Sequence, residues 1–96
     1  MPRCKVQKVI DGATIALEDG TKVRLASVEA PKLGRKGGAA AKRELEKLVL
    51  NKTITYLDEG RSYGRIVGTV RTGPKNINRE MIKRLKDLSM GSFGFS

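Results

Sequence analysis

The chain has no tryptophan, no histidine and a single cysteine, Cys4, and its aromatics amount to two Phe and two Tyr. One cysteine excludes an internal disulfide. The absence of histidine nearly excludes a zinc site, which draws on several Cys or His ligands. No apolar run approaches the ~18 residues of a membrane-spanning helix, and the basic segments lack the bulky aromatics of a membrane-surface helix, so no membrane partner is expected. The opening Met1-Pro2-Arg3-Cys4 lacks the apolar stretch of a signal peptide. A cytoplasmic protein is the expectation, although a trimmed secreted form would read the same. Because Phe93 and Phe95 both sit in a Gly/Ser-rich end, the core falls to aliphatics: Val6, Val9, Ile10, Ile15, Leu17, Val23, Leu25, Ile54 and Val70.

Acid is scarce as well. Ten Asp and Glu stand against twenty Lys and Arg, a net charge of +10. Such an imbalance attracts polyanions and says nothing about fold. With a membrane set aside, nucleic acid is the favoured partner; a merely soluble basic surface is the bland alternative. At 96 residues the chain suits one domain. It divides into a domain over 1–88 and a flexible Gly/Ser-rich tail over 89–96.

Patterning along the chain is mainly β. Residues 4–10 read as a strand, and Asp11-Gly12 as a turn. Residues 13–18 alternate, with Ala13, Ile15 and Leu17 on one face. Asp19-Gly20 is a hairpin signal, and 21–28 return as a third strand with Val23 and Leu25 inward, Arg24 opposite and Pro31 as the stop. The basic segment Lys32–Gly38 is an exposed loop. Residues 39–50 switch to helical spacing, burying Ala41, Leu45 and Leu48, and Asn51 ends the helix. Residues 52–58 and 65–72 form strands four and five around a turn at 59–64, with Gly68 marking a bulge or tight bend. After a turn at 73–76, Asn78 caps a second helix that carries Met81, Leu85 and Leu88 on one face. Strands one to three, a helix, strands four and five and a second helix define an α+β chain, mainly β with helices. That order is the arrangement of a five-stranded OB-fold barrel. An SH3-like barrel has no use for the long helix after strand three.

Four segments then converge on one family. Val9-Ile10-Asp11-Gly12-Ala13-Thr14-Ile15 resembles the V-I-D-G-D-T-[IV] signature of staphylococcal-nuclease-like (thermonuclease) domains. Val23 to Lys32 (VRLASVEAPK) resembles their V-R-L-x-x-[IV]-D-[AT]-P-E segment. Tyr63-Gly64-Arg65 matches their Y-G-R, and Asn78-Arg79-Glu80-Met81-Ile82 is similar to the V-N-x-x-[LV]-[VI] start of the following helix. The segments occur in the family's order and cover about residues 4–88. The resemblance implies the OB barrel reached above and calcium-dependent cleavage of DNA and RNA. That chemistry needs a hard cation held by carboxylates, a carboxylate to activate water, and two arginines to hold the phosphate as its charge grows.

Carried over residue by residue, the resemblance places the arginines at Arg24 and Arg65, the phosphate-site tyrosine at Tyr63 and the hydroxyl residue at Thr14. The first aspartate of D-G-D falls on Asp11, but the second, a metal ligand, falls on Ala13. The next aspartate falls on Glu29, and the glutamate proposed as general base falls on Lys32. The catalytic positions are thus Arg24, Arg65 and Glu29, while Asp11 and Glu29 are the residual metal candidates. No cofactor is expected with this set, and calcium only if the family activity is retained. Phosphate and nucleic-acid contacts are expected from Arg24, Lys32, Arg35, Lys36, Tyr63 and Arg65.

Three readings follow. The first is a nucleic-acid-binding module that has lost calcium-dependent cleavage, monomeric and favouring single-stranded DNA or RNA. The second is an active metal-dependent nuclease with a rearranged site. The third is a protein-interaction module with a protein partner. Bland roles stand beside them. Arg24 and Arg65 could be ion-paired to Glu29 or Asp58, Tyr63 could pack at a barrel corner, and Lys83, Arg84 and Lys86 read as a solvated face. Tyr56 and a half-buried Cys4 are structural.

Overall fold

The computed structural model describes residues 2–91, with side chains described for residues 2–88. Strands β1 (Arg3–Asp11), β2 (Thr14–Leu17) and β3 (Lys22–Leu25) precede helix α1 (Gly38–Val49). Strands β4 (Thr53–Ser62), β5 (Arg65–Thr72) and β6 (Lys75–Asn76) follow, and helix α2 (Ile77–Gly91) ends the described chain. The expected order is therefore observed, with the two-residue β6 added. The sheet runs β3-β2-β1-β4-β5-β6, and β3 also pairs with β5 in parallel. That extra pairing closes the first five strands into a ring, so β3 and β5 leave no open edge on each other's side.

The interior is aliphatic, as the shortage of aromatics demands. Val6, Ile15, Leu17, Val23, Leu25, Ile54 and Val70 from the strands are fully buried with Leu45 and Val49 of α1 and Ile77 and Met81 of α2. Burying each such side chain contributes roughly 1.5–3 kcal/mol before conformational entropy is set against it. Tyr56 joins this core, and Cys4 packs against it half-buried. Ile10 is only half-buried, because it lies where β1 and β2 shift register between Val9 and Asp11. All of β2 is buried, including Thr14 and Ala16 on its second face; strict alternation of exposure fails there because both sides of β2 are covered. Ala41, Leu45 and Leu48 form the expected buried stripe of α1, and Asn51 follows it with φ 63°, the left-handed stop.

Several boundaries move. β3 ends at Leu25, well before Pro31, because Ala26-Ser27 turns the chain with Ser27 at φ 65°. β4 runs through the region expected as a turn and ends at Ser62. The hairpin bends only at Tyr63-Gly64, with φ 51° and 76°, the two positive values a tight type I′ turn needs. The surplus residue is absorbed by a register shift between Asp58 and Gly60. Gly68 marks a close approach, since a Cβ there would collide with the Leu57 carbonyl of β4.

α2 begins two residues earlier than expected. Its cap is Asn76, whose Oδ1 accepts the Arg79 N–H at 3.0 Å. Asn78 is instead buried. Its Nδ2 donates to the carbonyls of Ala26 (2.9 Å) and Gly68 (3.0 Å), and its Oδ1 accepts the Val70 N–H at 2.9 Å. One carboxamide thus ties α2 to β5 and to the turn that follows β3. The helix continues to Gly91, into the segment expected as a tail, while Phe93 and Phe95 lie outside the described residues.

Candidate nucleic-acid interface

Arg24 sits on the outward face of β3, between Thr14 of β2 and Val67 of β5. Neighbours Val23 and Leu25 point into the core, so strand alternation directs the guanidinium outward. Its Nη1 donates to the Leu25 carbonyl at 2.6 Å, and its Nη2 lies 3.8 Å from Glu29 Oε2. A guanidinium carries five N–H donors, so most of the fork remains for a ligand. Glu29, with its side chain 92% exposed, is a loose tether.

Arg65 opens β5 across the seam from Arg24, on the same face of the sheet. The parallel register Val23–Ile66 and Arg24–Val67 sets Arg65 and Val67 on the face that carries Arg24. Its Nε makes a long 3.5 Å hydrogen bond to the Ser62 carbonyl. Asp58 pairs with Arg61, at 3.8 Å, rather than with Arg65. Tyr63, at the hairpin tip, is 95% exposed and does not pack at a corner.

The β1–β2 turn and the loop after β3 are locked together by small residues. A Cβ on Gly12 would stand 2.6 Å from the Ala41 Cβ and 2.9 Å from the Ala30 Cβ. Only glycine permits α1 and the Glu29-Ala30 segment to close on the Asp11-Gly12 turn. The fold thereby gathers the first two motifs on one side of the ring. Lys32, Arg35 and Lys36 are exposed on the loop leading to α1. Glu29, Lys36 and Ala40 line a groove of about 500 Å³ that reaches Leu85 and Leu88 of α2.

The donors present do not fit a calcium ion. Asp11 spends one carboxylate oxygen on its own turn, accepting the Ala13 N–H at 2.8 Å. Ala13 is apolar and buried, Glu29 projects into solvent, and Lys32 supplies a cation. Among the described residues, no three Asp, Glu, Cys or His side chains come close enough to share a metal, whereas calcium takes six to eight oxygens. Thr14, the retained hydroxyl position, is buried, and its Oγ1 has no hydrogen-bond partner among the described residues.

The two helices are joined by charge. Arg84 Nη1 lies 2.7 Å from Glu44 Oε1, its Nε 3.3 Å from Glu80 Oε1, and Lys47 Nζ is 3.1 Å from Glu44 Oε2. Arg84 is thus a strut of the α1–α2 contact and not part of a solvated basic face. Hydrogen bonds from Arg84 and then Lys47 hold the Glu44 carboxyl below its ordinary range. Bonding to Glu44 raises Arg84 despite partial burial. Sequence reasoning missed this strut because Glu44 and Arg84 belong to different helices; the Glu80–Arg84 spacing of four was the available signal.

A closed five-stranded ring with an arginine pair on its outer face and a helix between strands three and four is an OB-like scaffold. The chain belongs to the staphylococcal nuclease homologue family, whose profile matches residues 22–84. It is similar to an "Uncharacterized endonuclease" of Haemophilus influenzae, 36% identical over 86 residues that make up 84% of this chain and 48% of that protein. It is also similar to an "Uncharacterized endonuclease" of Escherichia coli, 34% identical over 85 residues, 82% of this chain and 55% of that protein. The chain therefore spans about half the length of the curated relatives it matches.

Proposed function

We propose that this chain is a nucleic-acid-binding module that holds the phosphate backbone through Arg24 and Arg65 and has lost calcium-dependent phosphodiester cleavage. One observation carries the reading: the arginine pair shares an outward face, while Ala13, Asp11, Glu29 and Lys32 offer no carboxylate cage beside it. Arginine recognises phosphate by paired N–H donors. Lys32, Arg35 and Lys36 add positive charge on the adjoining loop, where a lysine can attract phosphate but cannot generate hydroxide as a metal does. Tyr63 presents an open ring on which a base can stack. These features suit single strands, whose flexible backbone follows a charged groove and whose bases are free to stack.

The test is binding of labelled single-stranded DNA and RNA at low salt, with and without chelator. Binding should survive chelator, and Arg24→Ala with Arg65→Ala should weaken it at least tenfold, about 1.4 kcal/mol. Chelator-sensitive cleavage that vanishes in those variants would overturn the proposal.

That outcome belongs to a second reading, an active metal-dependent nuclease with a rearranged site using Asp11 and Glu29. The names of the two relatives favour it. Asp11→Asn and Glu29→Gln would then abolish cleavage with calcium, magnesium or manganese. Under the first reading, the combined Ala13→Asp, Glu29→Asp and Lys32→Glu variant gains calcium affinity measurable by calorimetry.

A further inference from the structure

We infer that Lys22, with Arg61 across from it, forms a second phosphate site that carries a single strand past the arginine pair toward the β2–β3 turn. The inference rests on the nucleic-acid reading above and gives that ligand a length and a path.

Lys22 precedes Arg24 by two residues on β3, so both side chains stand on the outward face, ~6.6 Å apart along the strand. One step before the Val23–Ile66 pair, the parallel register places Lys22 beside Arg65, across a strand spacing of ~4.8 Å. Arg24, Lys22 and Arg65 therefore occupy three corners of one patch that spans the β3–β5 seam. Beyond it lies an open concavity of about 420 Å³, lined by Lys22, Thr21, Ile66, Arg61 and the two turn glycines Gly20 and Gly64; Arg61, paired with Ile66, borders it from the sheet face opposite the one that carries Lys22 and Arg65. Neither glycine projects a side chain into the passage between the turns. Lys22 makes no ion pair among the described residues, and Arg61 is held only loosely by Asp58 at 3.8 Å with its side chain 74% exposed. Both cations can therefore turn to an anion at little cost in broken contacts.

Two positive sites along one strand and a third across the seam match the repeat of a polyphosphate backbone. An isolated anion would be satisfied by Arg24 and Arg65 alone. A nucleic-acid strand is thus the ligand that uses Lys22.

Affinities for an oligothymidylate dinucleotide and octanucleotide test this, in the unaltered chain and in Lys22→Ala, Arg61→Ala and Lys22→Arg. Lys75→Ala, an exposed lysine of β6 paired with the far end of β5, serves as the charge control. Lys22→Ala should leave the dinucleotide unaffected, weaken the octanucleotide several-fold, and reduce the log–log salt slope on it by about 0.7, the loss of one phosphate contact. Arg61→Ala should act in the same direction, and Lys22→Arg should restore binding. Equal losses in Lys22→Ala and Lys75→Ala, or an unchanged octanucleotide affinity, overturn the second site while leaving the arginine pair in place. No binding of the octanucleotide by the unaltered chain overturns both.

Discussion

Asn78 shows how much one side chain can hold together. Its carboxamide satisfies the Val70 N–H and the carbonyls of Ala26 and Gly68 inside the protein. Removing it strands buried polar groups at roughly 1–3 kcal/mol each. Asn78→Ala should therefore lower unfolding stability by about 3 kcal/mol in a urea titration, a large part of the ~5–15 kcal/mol typical of a domain. Asn78→Asp, which keeps the acceptor but loses both donated bonds, should be comparably damaging. Thr14 is the opposite case. Its buried hydroxyl lacks a partner, so Thr14→Val, which replaces the hydroxyl by a methyl of like size, should hold or raise stability by ~1 kcal/mol. A loss of stability in that variant would mean the hydroxyl is bonded in solution. The carboxamide clamp was not legible in the sequence. Asn76 and Asn78 are equally good caps by residue type, and only the approach of β5 and the Ala26 turn decides which one faces solvent.

The charged strut between α1 and α2 makes its prediction at the level of elements. Glu44 is held below its ordinary value of 4.5 in the folded chain, chiefly by Arg84. A group with a depressed folded pKa lends stability that is complete above its unfolded pKa and is lost as pH falls through the folded value. The helix contact should thus be at full strength at neutral pH and decline below about 4.5. Glu44→Gln should cost ~1 kcal/mol at neutral pH, since the pair is only partly buried, and flatten the acid limb of a stability–pH profile. Helices and most strands were readable because the apolar period changes from two to 3.6 along the chain. The β4–β5 turn falls inside the expected span 59–64 but only at its last two residues, because Gly60 and Ser62 look like turn residues yet pair with β5. The bend is confined to Tyr63-Gly64, Tyr63 being a residue seldom found at positive φ, and the register shift near Glu59 that permits this is set by pairing with β5.

At the scale of the whole molecule, the net charge of +10 has a measurable consequence. If ~4 phosphates are neutralised on a single strand, the logarithm of affinity should fall against the logarithm of salt with a slope of about −3. A flat dependence would detach the charge from the proposed interface. The ring itself was legible from the strand order and turn signals, and the arginine pair from its motifs. The looseness of the Glu29 tether and the use of Asp11 in its own turn were not, because both are matters of geometry. The seam where β3 meets β5 has a mechanical meaning too. Arg24 belongs to the first half of the chain and Arg65 to the second, with the exposed loop around Gly34 and Arg35 between them. A strand gripped by both arginines would act as a non-covalent crosslink across that seam. A chain split in that loop should then reassemble from its two pieces more tightly when an oligonucleotide is present, with the ligand serving as the suture.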